Sequence, residues 1–104
     1  MKKEVVLVRN QIGLHARPAN LFVDISRKFS SAIWIERDER RVNAKSSLGV
    51  LSLGIIGGTK IAIIAEGFDE DEAVKTLKTL LELIGGNDDK KLEDFLENNQ
   101  HINW

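Results

Sequence analysis

The alternation of apolar and polar residues divides the chain into segments with strand and helix periodicity. Val5–Val8 is a short aliphatic, β-branched run that ends at polar residues, which predicts a partly buried first strand. Further along, Phe22, Ile25 and Phe29 recur three and four positions apart, as on one face of an amphipathic helix. This spacing predicts a first helix over about Ala16–Lys28.

The middle of the chain predicts a hairpin followed by a short helix. Ala32–Ile35 is rich in residues that favour strands, and Arg41–Asn43 can return antiparallel to it after a polar turn. Lys45–Leu53 then places serines ahead of several aliphatic residues, and Gly54 can close the turn that follows. The pattern predicts a short helix that begins at or beside Ser46.

The next segments predict a last strand and a long amphipathic helix. Lys60–Glu66 carries Ile61, Ile63 and Ile64 and predicts the last strand. Asp69 with Glu72 three positions on forms a capping-box-like start for a helix that ends at Gly85-Gly86. The element order is therefore βαββαβα, which is the order of an α+β domain. Such a chain is expected to form one four-stranded sheet that is covered on one face by the first and third helices.

A change in composition after Gly86 marks a C-terminal extension. Residues 87–104 carry five acids and two lysines. Leu92, Phe95 and Leu96 can form one apolar stripe, but an isolated helix of this length is marginal in water. We therefore expect a single domain over residues 1–86 and a flexible or weakly docked acidic extension over residues 87–104.

Composition and charge exclude several classes of function. The chain of 104 residues has 15 Lys plus Arg against 16 Asp plus Glu, so it lacks the basic excess that binding to nucleic acid requires. It has no cysteine, which excludes a disulfide framework and cysteine-ligated metal. The most apolar stretch, Gly49–Gly58, is ten residues long, whereas a membrane span needs about 20. We expect a cytoplasmic protein with no signal peptide and no membrane insertion.

His15 stands in the most constrained setting of the sequence. It precedes the predicted first helix, whose first N–H groups have no partner within the helix and attract an anion such as phosphate. The positive end of the helix favours a neutral imidazole that can attack phosphorus, Arg17 supplies a planar cation for the phosphoryl oxygens, and Pro18 suits a first turn. These residues favour a phosphohistidine site. The alternative interpretation is that His15 only caps the helix.

Two separated motifs carry a resemblance to a known family. The segments Gly13–Ala19 and Val42–Gly54 resemble, in register, the HPr family of histidine-containing phosphocarriers from the bacterial sugar phosphotransferase system. The resemblance covers about residues 2–85. It implies the open-faced sandwich of that family, in which helices cover one face of a four-stranded antiparallel sheet.

The resemblance implies a phosphoryl relay and not a stand-alone turnover enzyme. The phosphoryl group would pass from phosphoenolpyruvate to enzyme I, then to Nδ1 of His15, and then to IIA domains of sugar permeases. Arg17 would neutralise its charge, and the backbone N–H of Ala16 would face it. Neither a metal nor another cofactor is expected for this step.

The resemblance also implies a regulatory site at Ser46, where an HPr kinase/phosphorylase would add a phosphate from ATP. The alternative is an ordinary capping serine, and the adjoining Ser47 is a further candidate for modification. A phosphate would make the partner-facing surface more negative and weaken docking to acidic partners. The residues expected to form an apolar docking patch around the site are Ala16, Leu21, Ser47, Leu48 and Leu51.

The sequence departs from the family pattern at several positions. Ile12 replaces a small polar residue, and Ser47 replaces an aliphatic one. Asp38-Glu39 replaces a tighter Asn-Gly-like turn, and a strained hinge can encourage domain swapping. A second interpretation of the chain is a regulatory protein of HPr-like fold that binds a catabolite repressor when Ser46 is phosphorylated and has little role in sugar transport. A third, an unrelated α/β domain that senses a small molecule, is disfavoured by the two matched motifs.

Overall fold

The computed structural model describes residues 1–8, 16–55, 58–84 and 89–99, which form four strands and four helices. The strands are β1 (Lys2–Val8), β2 (Ala32–Arg37), β3 (Arg40–Asn43) and β4 (Thr59–Glu66). The helices are α1 (Ala16–Ser26), α2 (Ser47–Ser52), α3 (Glu70–Ile84) and α4 (Asp89–Asn99).

The four strands form one antiparallel sheet in the order β1-β4-β2-β3. In the central strand β4, Ile63 is buried and lies between Glu4 of β1 and Ile35 of β2. On the other face of the sheet, Val5 and Leu7 of β1 are exposed. The predicted α+β class and the four-stranded antiparallel sheet are confirmed.

The core lies between the sheet and the helices. Phe22 and Val23 of α1 and Leu77 of α3 are fully buried and belong to the same cluster as Ile33 and Ile63 of the sheet. Each fully buried aliphatic or phenylalanine side chain contributes about 1.5–3 kcal/mol relative to an exposed one. Packing of the amphipathic faces of α1 and α3 therefore fixes where the first turn of α1 lies relative to the sheet.

Two predicted boundaries are wrong. The first strand begins at Lys2 and not at Val5, because the ladder with β4 continues as far as the pair of Lys2 with Ala65. Charged residues are tolerated there since β1 is an edge strand. The first helix ends at Ser26 and not at Lys28, because the Lys28 N–H donates to the carbonyl three residues before it and tightens the last turn.

The predicted hairpin forms, and its first strand runs longer than its apolar residues indicated. β2 extends to Arg37, which pairs directly with Arg40 across a two-residue turn. Asp38 occupies the left-handed region with φ 56°. Asp adopts this conformation more readily than most residues other than glycine, which explains how the turn forms without a glycine.

Asp69 joins the loop before β2 to the start of α3. Its carboxylate accepts hydrogen bonds from the backbone N–H and the hydroxyl groups of both Ser30 and Ser31. The predicted capping-box role of Asp69 is thus replaced by a tertiary contact, while the Glu70 carboxylate accepts from the Gly67 N–H at 3.2 Å. Desolvation raises the pKa of Asp69, but the four hydrogen bonds outweigh it and lower the pKa from 3.8 to about 2.

Acid is expected to weaken the fold through this carboxylate. Because the folded-state pKa lies below the unfolded one, the contribution of Asp69 is complete above about pH 5 and is lost as the pH falls towards 2. Because Asp69 is partly exposed and solvent screens its interactions, we expect this shift to contribute about 1 kcal/mol to the stability. Urea unfolding of the wild type and of Asp69→Asn is expected to differ by about this amount at pH 7 and by little at pH 2. An equal difference at both pH values would show that ionisation of Asp69 contributes nothing.

Helix α4 lies in the acidic extension. Its side chains Leu92, Phe95 and Leu96 are partly buried and pack against the core cluster. The apolar stripe predicted from the sequence therefore faces the protein. Of the helices that the structure describes, none is long and apolar enough to cross a membrane.

Candidate phosphoryl-transfer site

The start of α1 lies where the sequence predicts it. The helix begins at Ala16, directly after His15 in the chain, and Arg17 and Pro18 belong to its first turn. His15 itself, the predicted phosphoryl acceptor, lies outside the described residues, as do the side chains of Ala16, Arg17 and Pro18. The first N–H groups of an α-helix lack intrahelical partners and attract anions, so the start of α1 offers such groups directly after His15 in the chain.

Contacts of β1 and α1 with α3 show at which end of the sandwich the first turn of α1 lies. Lys2 of β1 pairs with Asp71 at the start of α3, and Glu4 pairs with Lys78 farther along, so α3 runs in the same direction as β1. The loop after α1 bonds to Asp69 at the start of α3, so α1 runs in the opposite direction. Ala16 therefore lies at the end of the sandwich where the C-terminal ends of β1 and α3 also lie.

Ser46 is the N-cap of α2. Its backbone is extended, with φ −113° and ψ 116°, its Oγ accepts a hydrogen bond from the Gly49 N–H at 3.1 Å, and its carbonyl accepts from Val50 N–H at 3.0 Å. The prediction of a helix that begins beside Ser46 is confirmed. A side chain at Gly49 would lie 3.3 Å from the Ser46 Oγ, so glycine keeps this contact free of crowding.

The apolar residues of α2 divide between the core and solvent. Val50 is fully buried, whereas 82% of the Leu48 surface and 37% of the Leu51 surface are exposed. Leu21 on α1 and Ser47 are half-buried. The helix α2, which carries Leu48 and Leu51, is in contact with α1, the helix that begins at Ala16. Their role in binding partners stays a prediction.

Basic side chains that the sequence analysis did not single out hold α2 in place. At its C-terminal end, Arg40 donates to the Ser52 carbonyl at 2.9 Å, and Arg37 donates to the carbonyls of Leu53 and Gly54 at 2.8 and 2.6 Å. Gly54, at φ 59°, closes the turn as predicted. These arginines satisfy carbonyl groups that the end of a helix leaves unpaired.

Two more basic side chains hold the start of α2. Arg27 donates through Nε to the Lys45 carbonyl at 3.0 Å, and the Lys45 Nζ donates to the Phe29 carbonyl at 2.7 Å. The sequence around a lysine or arginine in a polar loop does not indicate which carbonyl group its side chain will bind. The sequence signal was limited to the clustering of basic residues before α2, at Arg37, Arg40, Arg41 and Lys45.

Comparison with known proteins assigns the chain to a family. Residues 2–82 match the family described as "PTS HPr component phosphorylation site". The chain belongs to the HPr family. The match includes β1, α1, the sheet, α2 and most of α3, and it ends before α4. Membership of the HPr family implies partners of the phosphotransferase system, such as enzyme I and IIA domains.

Relatives within the HPr family bear two different names. The chain is 46% identical over 77 residues to the HPr-like protein Crh of Bacillus subtilis (strain 168), an alignment that covers 74% of this chain and 91% of the relative. It is 37% identical over 81 residues to the phosphocarrier protein HPr of Neisseria meningitidis serogroup A, which covers 78% of this chain and 91% of that protein.

A solved HPr structure agrees with the fold. The crystal structure of HPr-C-His from Thermoanaerobacter tengcongensis superposes with a TM-score of 0.80 at 49% sequence identity. The superposition covers 85% of this chain and 99% of the other. The open-faced HPr sandwich expected from the two motifs is therefore confirmed.

Proposed function

We propose that this HPr-family chain is a phosphocarrier that accepts a phosphoryl group from phospho-enzyme I on His15 and donates it to IIA domains of sugar permeases. The observation that carries the proposal is the start of α1 at Ala16, directly after His15, with Arg17 in the first turn. His15 therefore directly precedes, in the chain, a helix start of the kind that binds anions. We place the relay in the cytoplasm, as the family resemblance implies.

The proposed transfer exchanges one phosphorus–nitrogen bond for another. The neutral imidazole of His15 attacks through Nδ1, the bond from phosphorus to the donor histidine breaks, and the donor imidazole leaves with its electron pair. The N–H groups of the first turn of α1 and the guanidinium of Arg17 stabilise the charge on the phosphoryl oxygens. Docking of two proteins around one phosphorus atom supplies the in-line positioning, so a carrier of this size needs no catalytic cleft of its own.

We further propose that Ser46 is the site of a regulatory phosphorylation by an HPr kinase/phosphorylase. The Ser46 Oγ would attack the γ-phosphorus of ATP, form a phosphate ester and release ADP and a proton. Ser46 is partly exposed and lies before the exposed Leu48, so a new charge of about −1.5 to −2 would arise beside the proposed docking patch. Such a charge opposes binding to acidic partner surfaces.

The higher identity to Crh than to the HPr of Neisseria favours a second candidate function. In this alternative the chain is a regulatory protein that binds a catabolite repressor when Ser46 is phosphorylated and transfers little phosphate to sugars. His15 and Arg17 favour the carrier, because a purely regulatory relative does not require the nucleophile.

Phosphotransfer from enzyme I distinguishes the two functions. The chain is mixed with enzyme I and labelled phosphoenolpyruvate, and then with a IIA domain. A carrier is expected to become labelled in the first mixture and to transfer the label to the IIA domain in the second. No incorporation with an enzyme I that labels a known HPr would contradict the carrier and leave the regulatory function.

The docking patch predicts a change in partner affinity without a change in fold. Leu48→Ala removes an exposed side chain, so the unfolding midpoint is expected to stay nearly constant while the KM for transfer from phospho-enzyme I rises about 5- to 30-fold, as for a central interface residue. Val5→Ala, which truncates an exposed residue on the sheet, is the matched control and is expected to leave the KM unchanged. Equal effects of the two variants would contradict the patch.

We propose that residues 1–86 form the phosphocarrier domain and that α4 is a weakly docked appendage. The three half-buried apolar side chains of α4 are expected to stabilise the fold by about 1–2 kcal/mol after the cost of ordering the helix. A chain shortened to residues 1–86 is therefore expected to fold with a lower unfolding midpoint and to accept phosphate as the full chain does. Loss of folding on truncation would make α4 part of the domain.

A further inference from the structure

The junction between α1 and α2 is closed by two hydrogen bonds that run in opposite directions. Arg27, just after α1, donates to the carbonyl of Lys45, just before α2. Lys45 in turn donates through Nζ to the carbonyl of Phe29. The first bond places the side chain of Arg27 against the peptide group that links Lys45 to Ser46, and the second ties Lys45 to the loop after α1.

Arg27 has capacity for a further ligand at that position. A guanidinium carries five N–H donors, and the hydrogen bond from Nε to the Lys45 carbonyl uses one of them. Among the residues that the structure describes, no carboxylate forms an ion pair with Arg27. The Nη groups therefore offer donors and a positive charge one peptide group away from the Ser46 side chain.

The geometry of α2 gives a reason for a side-chain cation there. Ser46 is partly exposed, and its Oγ already accepts the Gly49 N–H, while α2 itself has only six residues. So short a helix has few aligned peptide dipoles with which to hold a phosphate dianion. Arginine suits the task better than lysine, because its planar fork meets two phosphate oxygens at once.

We propose that Arg27 is the residue that binds the phosphate of phosphorylated Ser46 and thereby ties α1 to α2. This inference rests on the regulatory modification proposed above and names the residue that receives its product. Arg27 keeps its bond to the Lys45 carbonyl through Nε and turns its Nη groups towards the phosphate oxygens. The modified serine is then held towards the end of α1, and Leu48 stays exposed on the docking patch.

The test places phosphoserine at position 46 during synthesis of the full chain, so that no kinase is needed. The pKa of the phosphate is read from the phosphorus resonance in a pH titration. In Arg27→Gln the phosphate pKa is expected to rise by roughly half a unit above that of the chain with Arg27, from a reference near 6, because a nearby cation favours the dianion. Arg27→Lys, which keeps the charge and loses the fork, is expected to fall between the two.

A matched control comes from the other end of α2. Arg40→Gln removes the same charge and the hydrogen bonds to Ser52, and it is expected to leave the phosphate pKa unchanged. The remaining charged side chains on the elements that contact α2 are the same in all these variants. On α1 and β3 they are Arg17, Asp24 and Arg41, and the loops that follow these two elements add Lys28 and Lys45, which are likewise unchanged.

A second measurement separates binding from folding. Phosphorylation is expected to raise the unfolding midpoint more in the chain with Arg27 than in the Arg27→Gln variant. Loss of the hydrogen bond to the Lys45 carbonyl lowers the midpoint of the variant with and without phosphate, so it cancels in this comparison. A phosphate pKa that is equal in the chains with Arg27 and with Arg27→Gln would overturn the inference. Failure of a kinase to modify Ser46 would instead overturn the proposed regulation and leave this measurement unaffected.

Discussion

His15→Ala is expected to abolish labelling from phosphoenolpyruvate and enzyme I altogether. The variant keeps the helix that begins at Ala16 but lacks the lone pair that attacks phosphorus. Label on the wild type is expected to be labile in acid and stable in base, as a phosphorus–nitrogen bond is. The measurement is the stoichiometry of label after acid and base treatment of each chain.

Two comparisons make the His15 result specific. His101, in the C-terminal extension, is the second histidine of the chain, and His101→Ala is expected to label like the wild type. In Arg17→Ala the rate of labelling is expected to fall by about 10²–10³-fold, as when one charge-stabilising donor is removed. The final stoichiometry of label is expected to equal that of the wild type. Acid-labile label that persists in His15→Ala would place the phosphoryl group on another residue and refute the proposed relay.

Ser46→Ala is expected to eliminate the phosphate that an ATP-dependent HPr kinase/phosphorylase adds. Intact-mass measurement is expected to show one added phosphate on the wild type and none on the variant. The substitution also removes the N-cap contact to the Gly49 N–H, at a cost of about 1 kcal/mol. The unfolding midpoint is therefore measured in parallel, so that a loss of modification is not confused with a loss of fold.

Ser47 provides the matched control for the regulatory site. It adjoins Ser46 and is the first residue of α2, but it does not act as the cap. Ser47→Ala is expected to accept one phosphate as the wild type does. If Ser46→Ala were still modified and Ser47→Ala were not, the regulatory site would move by one residue and the role proposed for Arg27 would need to be reassessed.

Local sequence signals located the parts of the site that neighbouring residues determine. Ser46 was expected at the start of a short helix from the serines that precede Leu48 and Val50, and it is the N-cap of α2. The first helix was expected to begin at Ala16, as it does. Its end was misplaced by two residues, because the tightening of the last turn depends on one hydrogen bond and leaves no periodic pattern.

Strand edges and turns were harder to predict because pairing with another strand decides the conformation of their residues. The polar start of β1 is strand only because β4 offers a partner for it, as the pairing of Lys2 with Ala65 shows. Asp38 forms a tight turn without glycine because β2 and β3 pair on either side of it. An apolar pattern cannot indicate strand where the side chains face solvent.

The sequence by itself determined the order of the first seven elements, the buried faces of α1 and α3, and the two motifs that place the chain in the HPr family. These features follow from residues within a few positions of one another. The tertiary structure alone decided which groups meet across the chain. Asp69 binds Ser31 across 38 positions and Arg27 binds the Lys45 carbonyl across 18. Such contacts form only after packing brings the elements together, so no local pattern specifies the partner.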